Sequence, residues 1–359
     1  MLQKTKLWLG PELTKPELHR RFELYLHQEL LPKLDCPKAS ATLLERKINP
    51  LVCRIDREDG SSLAVRCFVR RMGKEKSREH LEISQLLCAT GVDVPNQVLC
   101  DAGLHTIGRY GFDVAVEEWL AGRHPAHCEF SAPDSSLLKR AARLVANMHR
   151  QSANRAGTPW SKRHAGSNFI ERSYTSREAD LLNTIAASDS LNASAADLSR
   201  VRKQFDKHRA ALDNGPPYSL VHGDLQNENL VLRPAPQRNN GKKYEESLAL
   251  IDFGTVHYGL WPRDFVLFHF GCSGADLETT RRLLIEYVNE RPEASAEYFL
   301  RVWPYLLVWH TVEKTASAIR KYQRTLSGRR PDSDLDYFRR RAALYWEHTL
   351  EALAMPQLL

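Results

Sequence analysis

Two short stretches of this 359-residue chain carry side chains whose types and spacing suit phosphoryl transfer. Val221-His-Gly-Asp-Leu-Gln-Asn-Glu-Asn-Leu-Val-Leu232 sets His222, Asp224 and Asn229 in a polar loop between apolar strand residues. Leu250-Ile-Asp-Phe-Gly254 again runs a strand into a turn, with Asp252 at its end. A hydroxyl that attacks a phosphate needs a carboxylate to orient it and accept its proton. The phosphates need magnesium, which prefers oxygen ligands. An Asp five residues before an Asn, followed after a hairpin by Asp-Phe-Gly, supplies those oxygens in the required order. The pattern assigns Asp224 as base and Asn229 with Asp252 as Mg2+ ligands. Turns also favour Asp and Asn. Agreement of spacing, order and flanking strands favours the chemical reading over three turn residues.

The elements that must position these residues fall into two patterns. Thr14-Lys-Pro-Glu17 is a capping box with Pro in the first turn, opening a helix to about Leu34. Leu18, Phe22, Tyr25, Leu26 and Leu30 form its apolar stripe. Leu51–Ile55 and Leu63–Val69 read as strands joined by the turn Asp56-Arg-Glu-Asp-Gly60. Lys74–Thr90 reads as a helix with Leu81, Ser84, Leu87 and Cys88 inward, ended by Gly91. Val92–Leu99 and Val114–Leu120 read as further strands, and Gly122–Pro133 as a linker. Beyond it the chain is mainly helical, over Ser136–Gln151, Ser173–Ala186, Ala195–Leu212 and the C-terminal region. Ser219–Val221 and Leu248–Ile251 are short strands, and Arg233–Glu246 is a loop. The expected division is an N-terminal helical extension over 1–35, a nucleotide-binding lobe over 36–121 and a catalytic and substrate-binding lobe over 122–359.

His-Gly-Asp-Leu-(x)3-Asn-Leu together with Ile-Asp-Phe-Gly resembles the aminoglycoside phosphotransferase and choline kinase superfamily. Gly223 stands where protein kinases more often carry Arg. The match runs from about Asn49 to Asp264. It implies an α+β, two-lobed protein-kinase-like fold, with a small antiparallel-sheet N-lobe and a mainly helical C-lobe. It implies ATP and Mg2+ as cofactors. It also implies that Arg66, late in a strand, grips the α- and β-phosphates, and that Glu79 in the next helix is its partner, with Glu82 as the alternative. Val116-Glu-Glu-Trp-Leu-Ala-Gly122 is similar to the family's hinge, so the backbones of Glu118 and Leu120 are expected to bond adenine. Trp261-Pro-Arg-Asp264 resembles the segment whose Asp braces the catalytic loop. Lys47-Ile-Asn-Pro50 stands where the family's phosphate-covering loop lies, without its glycines.

Composition is that of an ordinary globular protein, 42% hydrophobic and 26% charged. The net charge of +7 fits an anionic partner such as ATP, and no nucleic-acid-binding motif accompanies it. Seven widely spaced cysteines without a C-x-x-C pair suggest neither a disulfide framework nor zinc, and fit a reducing compartment. No signal-like segment and no membrane span are read, so a cytoplasmic location is expected, with peripheral membrane contact left open. Walker, Rossmann, nucleophile-elbow and zinc-protease motifs are missing. The expected activity is transfer of the γ-phosphate of ATP to a hydroxyl of a sugar, amino alcohol or aminoglycoside-like acceptor. A kinase of a lipopolysaccharide sugar or protein hydroxyl, and a catalytically silent binding protein, are the alternatives. Oligomeric state has no signature in the sequence.

Overall fold

Alternation of apolar residues builds the larger sheet. The computed structural model describes residues 15–44, 51–69, 76–159, 169–212, 217–234, 246–328 and 334–354. Strands β1 (Ser40–Leu44), β2 (Leu51–Asp56), β3 (Ser62–Val69), β4 (Gln97–Asp101) and β5 (Phe112–Glu118) form an antiparallel sheet of order β1-β2-β3-β5-β4. Leu51, Cys53 and Ile55 point into the core, while Val52, Arg54 and Asp56 are half-buried. The β2–β3 turn closes through the Arg57 N–H on the Ser61 carbonyl, with Gly60 at φ +83°.

Contacts divide the chain into two units, Met1–His124 with Leu230–Gly254, and Pro125–Asn229 with Thr255–Leu359. The first unit contains the sheet. Thr14 lies outside the described residues, and the first helix, α1 (Lys15–Tyr25), passes through a π-turn (Leu26–Leu30) into the short α2 (Leu31–Lys33). The Leu31 N–H reaches five residues back to Leu26, and Pro32, which has no N–H, follows it. Leu18, Phe22, Tyr25, Leu26 and Leu30 are nearly inaccessible and share one core with Leu51, Val65 and Phe112. Helix α3 (Lys76–Ala89) is present, but its phase differs from expectation. Ser77, His80, Ile83, Ser84 and Leu87 are buried, Leu81 is half-buried and Cys88 is exposed. Two serines and a histidine occupy the inner face, so apolarity alone misplaces it.

Helix α4 (Leu104–Tyr110) was not anticipated, and Gly111 at φ +85° ends it. Strand β4 starts at Gln97 rather than Val92, because Pro95 has no N–H for a ladder. The hairpin Leu230–Arg233 and Ser247–Leu250 completes the first unit.

Among its described residues the second unit is mainly helical, with a small sheet of Ser152–Ala153, Tyr218–Val221 and His257–Gly259. Its helices are α5 (His127–Ser131), α6 (Ser136–Arg150), α7 (Phe169–Ala186), α8 (Ala195–His208), α9 (Pro262–Gly271), α10 (Leu277–Glu290), α11 (Ala296–Leu326) and α12 (Leu335–Ala354). Helix α5 lies within the expected linker. The α6 stripe of Leu137, Leu138, Ala141, Leu144, Val145 and Met148 is buried as its spacing predicts, and Ser135 caps the helix by accepting from the Leu138 N–H. Trp261 stacks on Tyr287 and Phe299, an aromatic core beneath the first turn of α9. Among the described residues no helix is long and apolar enough to cross a membrane.

Candidate active site

The strand Tyr218–Val221 delivers the loop carrying Asp224. The N–H groups of His222 and Gly223 donate to the two oxygens of Asp264, at 2.8 and 2.9 Å. His149, from α6, adds its Nε2 at 3.1 Å, and Tyr287 meets its Nδ1 at 3.0 Å. Burial alone would raise the Asp264 pKa, but the bonded His149 and the Gly223 N–H outweigh it and hold the carboxyl below its usual range. A charged acceptor of this kind fixes backbone more firmly than a neutral one. Gly223 turns the chain at φ +75°, and Thr255 closes the far side by donating its hydroxyl to the His222 carbonyl at 2.8 Å.

Beyond the turn, the Asn229 amide donates to the Asp224 carbonyl at 2.7 Å and lies 3.3 Å from the Asp224 carboxylate. Gln226 reaches the same carboxylate oxygen at 3.3 Å. Asp224 and Asn229 are thus brought together, and the amide nitrogen of Asn229 is the atom committed inward. Its Oδ1 has no bond among the described residues. Helix α9 presses on this loop at its other end, where Gly271 leaves no room for a Cβ beside Gln226.

Arg66, Glu118, Leu120 and Asp252 belong to the first unit. Arg66 is 9% exposed and donates its Nε to Glu117 at 2.6 Å. The expected partner, Glu79, is instead bonded to Lys76 in its own helical turn, at 2.6 Å, and Glu82 is exposed. The correction follows from the phase of α3, which turns His80 rather than Glu79 toward the sheet. His80 Nε2 meets Glu117 at 2.7 Å, and Gln97 Nε2 meets it at 2.9 Å. Burial would raise the Glu117 pKa, yet Arg66 and His80 together hold the carboxyl well below the usual range. Burial likewise disfavours the Arg66 charge, and Glu117 with Asp252 more than offsets it.

Glu118 spends its N–H on the Asn96 carbonyl at 2.8 Å, which leaves only its carbonyl for a ligand. Among the described residues nothing accepts from the Leu120 N–H. The Leu120 side chain packs with Val231, Ala249 and Ile251 in a small apolar cluster. Trp119 lies under the Arg54 guanidinium, 5.1 Å from its centroid. Asp252 takes a left-handed backbone, φ +62°, and its carboxylate receives no hydrogen bond among the described residues. Lys47–Pro50 lies outside the described residues.

The family profile described as the phosphotransferase enzyme family matches residues 41–298, well over half of the chain. The chain belongs to the phosphotransferase enzyme family. This phosphotransferase resembles the choline/ethanolamine kinase family protein from Mesorhizobium loti, with 17% identity and TM-score 0.60 over 95% of this chain and 98% of that one. It resembles the GDP complex of aminoglycoside 2'-phosphotransferase-IIIa, with 14% identity and TM-score 0.58 over 92% and 98%. It also resembles amicoumacin kinase in complex with AMP-PNP, Ca2+ and Ami, with 15% identity and TM-score 0.58 over 96% and 97%. At these identities the likenesses show the fold, α+β, two-lobed and protein-kinase-like. No curated protein sequence matches.

Sequence reasoning missed two residues of the phosphotransferase's first unit, Glu117 and His80, and one of the second, His149. A signal for the first two was present. Asp113, Ala115 and Glu117 alternate on one face of β5, and Ser77, His80 and Ser84 follow one another on one face of α3. A polar strand face and a polar helix face satisfy each other: Asp113 accepts from Ser77 at 2.6 Å as Glu117 does from His80.

Proposed function

We propose that this phosphotransferase moves the γ-phosphate of ATP to a hydroxyl of a small molecule such as a sugar, an amino alcohol or an aminoglycoside-like compound. The observation that carries the reading is the Asp264-braced loop, in which Asp224 and Asn229 are held by named bonds while the outer edge of each stays available. Asp224 takes the proton of the acceptor hydroxyl as the new phosphate ester bond forms and the bond from the γ-phosphorus to the β–γ bridging oxygen breaks, releasing ADP. Arg66 uses its terminal guanidinium nitrogens, which no described residue accepts from, to steady the α- and β-phosphates. The Glu118 carbonyl and Leu120 N–H bond the base edge, over the apolar surface of Val231, Ala249 and Ile251.

The chemistry of the donors fits a divalent cation. Asn229 Oδ1 and the Asp252 carboxylate are hard oxygens that accept no hydrogen bond among the described residues, the kind of ligand magnesium prefers. Asn229 and Asp252 would hold the ion, which would supply positive charge to offset that on the transferring phosphoryl group. The GDP complex of the aminoglycoside enzyme and the AMP-PNP and Ca2+ complex of amicoumacin kinase support a nucleotide and a divalent metal for this chain as well. The acceptor is less defined. The acidic residues from Asp276 to Glu290, together with Glu313, are candidates for a cationic acceptor, and each has a partner in the protein: Asp276 caps α10, Glu278 pairs with Arg281, Glu286 with Lys139, Glu290 with Arg143 and Glu313 with Arg177.

The deciding assay measures ADP release with Mg·ATP across a panel of metabolites and aminoglycosides, wild type beside Asp224→Ala. Turnover on an acceptor should fall by about two to four orders of magnitude in the variant, with Mg·ATP affinity kept. Equal turnover in the two proteins removes Asp224 from the base role. Mg·ATP binding without turnover on any acceptor favours a silent binding protein.

A further inference from the structure

We propose that Glu117, on the strand leading into the hinge, is the positioning residue that aims Arg66, and that α3 reaches this pair through a histidine rather than a carboxylate. The inference rests on the reading of Arg66 as a phosphate grip. Arg66 lies opposite Ala115 in the β3–β5 register, so Glu117 is its diagonal neighbour on the same face of the sheet. The carboxylate is 1% exposed, a location that strongly disfavours an uncompensated charge. Three donors satisfy it: Arg66 Nε on one oxygen, His80 Nε2 and Gln97 Nε2 on the other. The Nε contact is side-on, so the bond fixes the plane of the guanidinium without consuming its two terminal nitrogens.

The same carboxylate orders a second group. An ionised Glu117 only accepts, so His80 must carry its proton on Nε2. That bond holds the imidazole flat against Phe253, with centroids 5.1 Å apart and planes 27° apart, and Phe68 borders it at 5.9 Å. Phe253 directly follows Asp252. One buried anion therefore sets the orientation of the phosphate-gripping cation and, through one ring, of the residue beside the proposed metal ligand. Neither Glu79 nor Glu82 has a part in it.

The test is a calorimetric titration of the full-length protein with Mg·AMP-PNP. The variants are Glu117→Gln, Arg66→Ala, the double variant, His80→Gln and Glu79→Ala, each with its unfolding midpoint. Glu117→Gln keeps the shape and removes the charge. It should weaken binding about tenfold or more, the value of a charge-assisted bond. His80→Gln should weaken it less, and Glu79→Ala should stay within about threefold, the scale of a half-buried pair within one helical turn. Arg66→Ala should be as weak as the double variant, because Glu117 acts only through Arg66. A purely structural role predicts additive losses that track the unfolding midpoints. Wild-type affinity in Glu117→Gln, additive losses, or a Glu79→Ala loss as large as that of Glu117→Gln each overturns the inference. A wild type that does not bind Mg·AMP-PNP overturns the ATP reading itself, and the role of Glu117 with it.

Discussion

At the scale of single residues, Gly223 governs where Asp224 stands. A Cβ on Gly223 would lie 2.7 Å from the Thr255 carbonyl oxygen and 3.2 Å from the His257 ring, at φ +75°. Both the left-handed backbone and the missing space demand glycine. Gly223→Ala should lower unfolding free energy by about 1–3 kcal/mol. In the same variant turnover should drop further than Mg·ATP affinity, because the displaced atoms adjoin the proposed base. Equal losses in both would mean that the loop does not carry the chemistry. Asp252 holds a similar backbone, φ +62°, that asparagine also tolerates. Asp252→Asn thus keeps the turn and removes one charged oxygen. The Mg2+ concentration for half-maximal ADP release should rise by more than about tenfold; an unchanged metal requirement excludes Asp252 as a ligand.

At the scale of elements, α9 is the brace of the loop that carries Asp224. Its first turn supplies Asp264, which receives the His222 and Gly223 N–H groups. Its last residue, Gly271, would place a Cβ 2.6 Å from that of Gln226. The helix therefore contacts the loop on both sides of Asp224. Asp264→Asn keeps the size and loses the charge that three donors share. Each charge-assisted bond is worth about 1.5–3 kcal/mol, so the loop should loosen. Steady-state kinetics should show kcat reduced about tenfold or more, with the calorimetric Kd for Mg·AMP-PNP nearly unchanged. Gly271→Ala should act in the same direction by pushing Gln226 away. If Asp264→Asn changes the Kd and not kcat, the brace lies elsewhere.

At the scale of the whole molecule, buried histidines of the second unit make its stability depend on pH. Burial lowers the pKa of His149, His257 and His310, and pulls His269 down to about 4. A neutral buried histidine resists protonation while the unfolded chain, with an ordinary pKa of 6.5, accepts the proton. Between those values the unfolded state binds more protons, so stability rises with pH. It is complete above about pH 6.5 and is lost as pH falls toward 4. His269 alone should cost about 2 kcal/mol at pH 5, and the other three act in the same direction. Denaturant unfolding from pH 7 to pH 5 should show this decline, with a shallower slope for His269→Asn. A flat profile would mean that these rings are protonated in the folded protein.

What could be read from the sequence and what could not divide along one physical line. Periodicity gave β2, β3 and β5, the α6 stripe and the first helical stripe but not β1, because burial of apolar area imposes a repeat on neighbouring residues and β1 is largely exposed. Asp224, Asn229 and Asp252 stand out because loop chemistry is local: the proposed order of base and ligands rests on the spacing of a few residues. Helix α4, the start of β4 and the phase of α3 were not legible, since a short helix and a polar inner face leave no apolar repeat. The partner of Arg66 was beyond reach for a stronger reason. Residues 66, 80, 97 and 117 are far apart along the chain, and only a strand register and a helix phase, settled by packing, decide which carboxylate ends beside the guanidinium. Sequence determined the kind of chemistry; tertiary structure chose Glu117 over Glu79, because the buried anion needed three donors and that point of the sheet brings Arg66, His80 and Gln97 together.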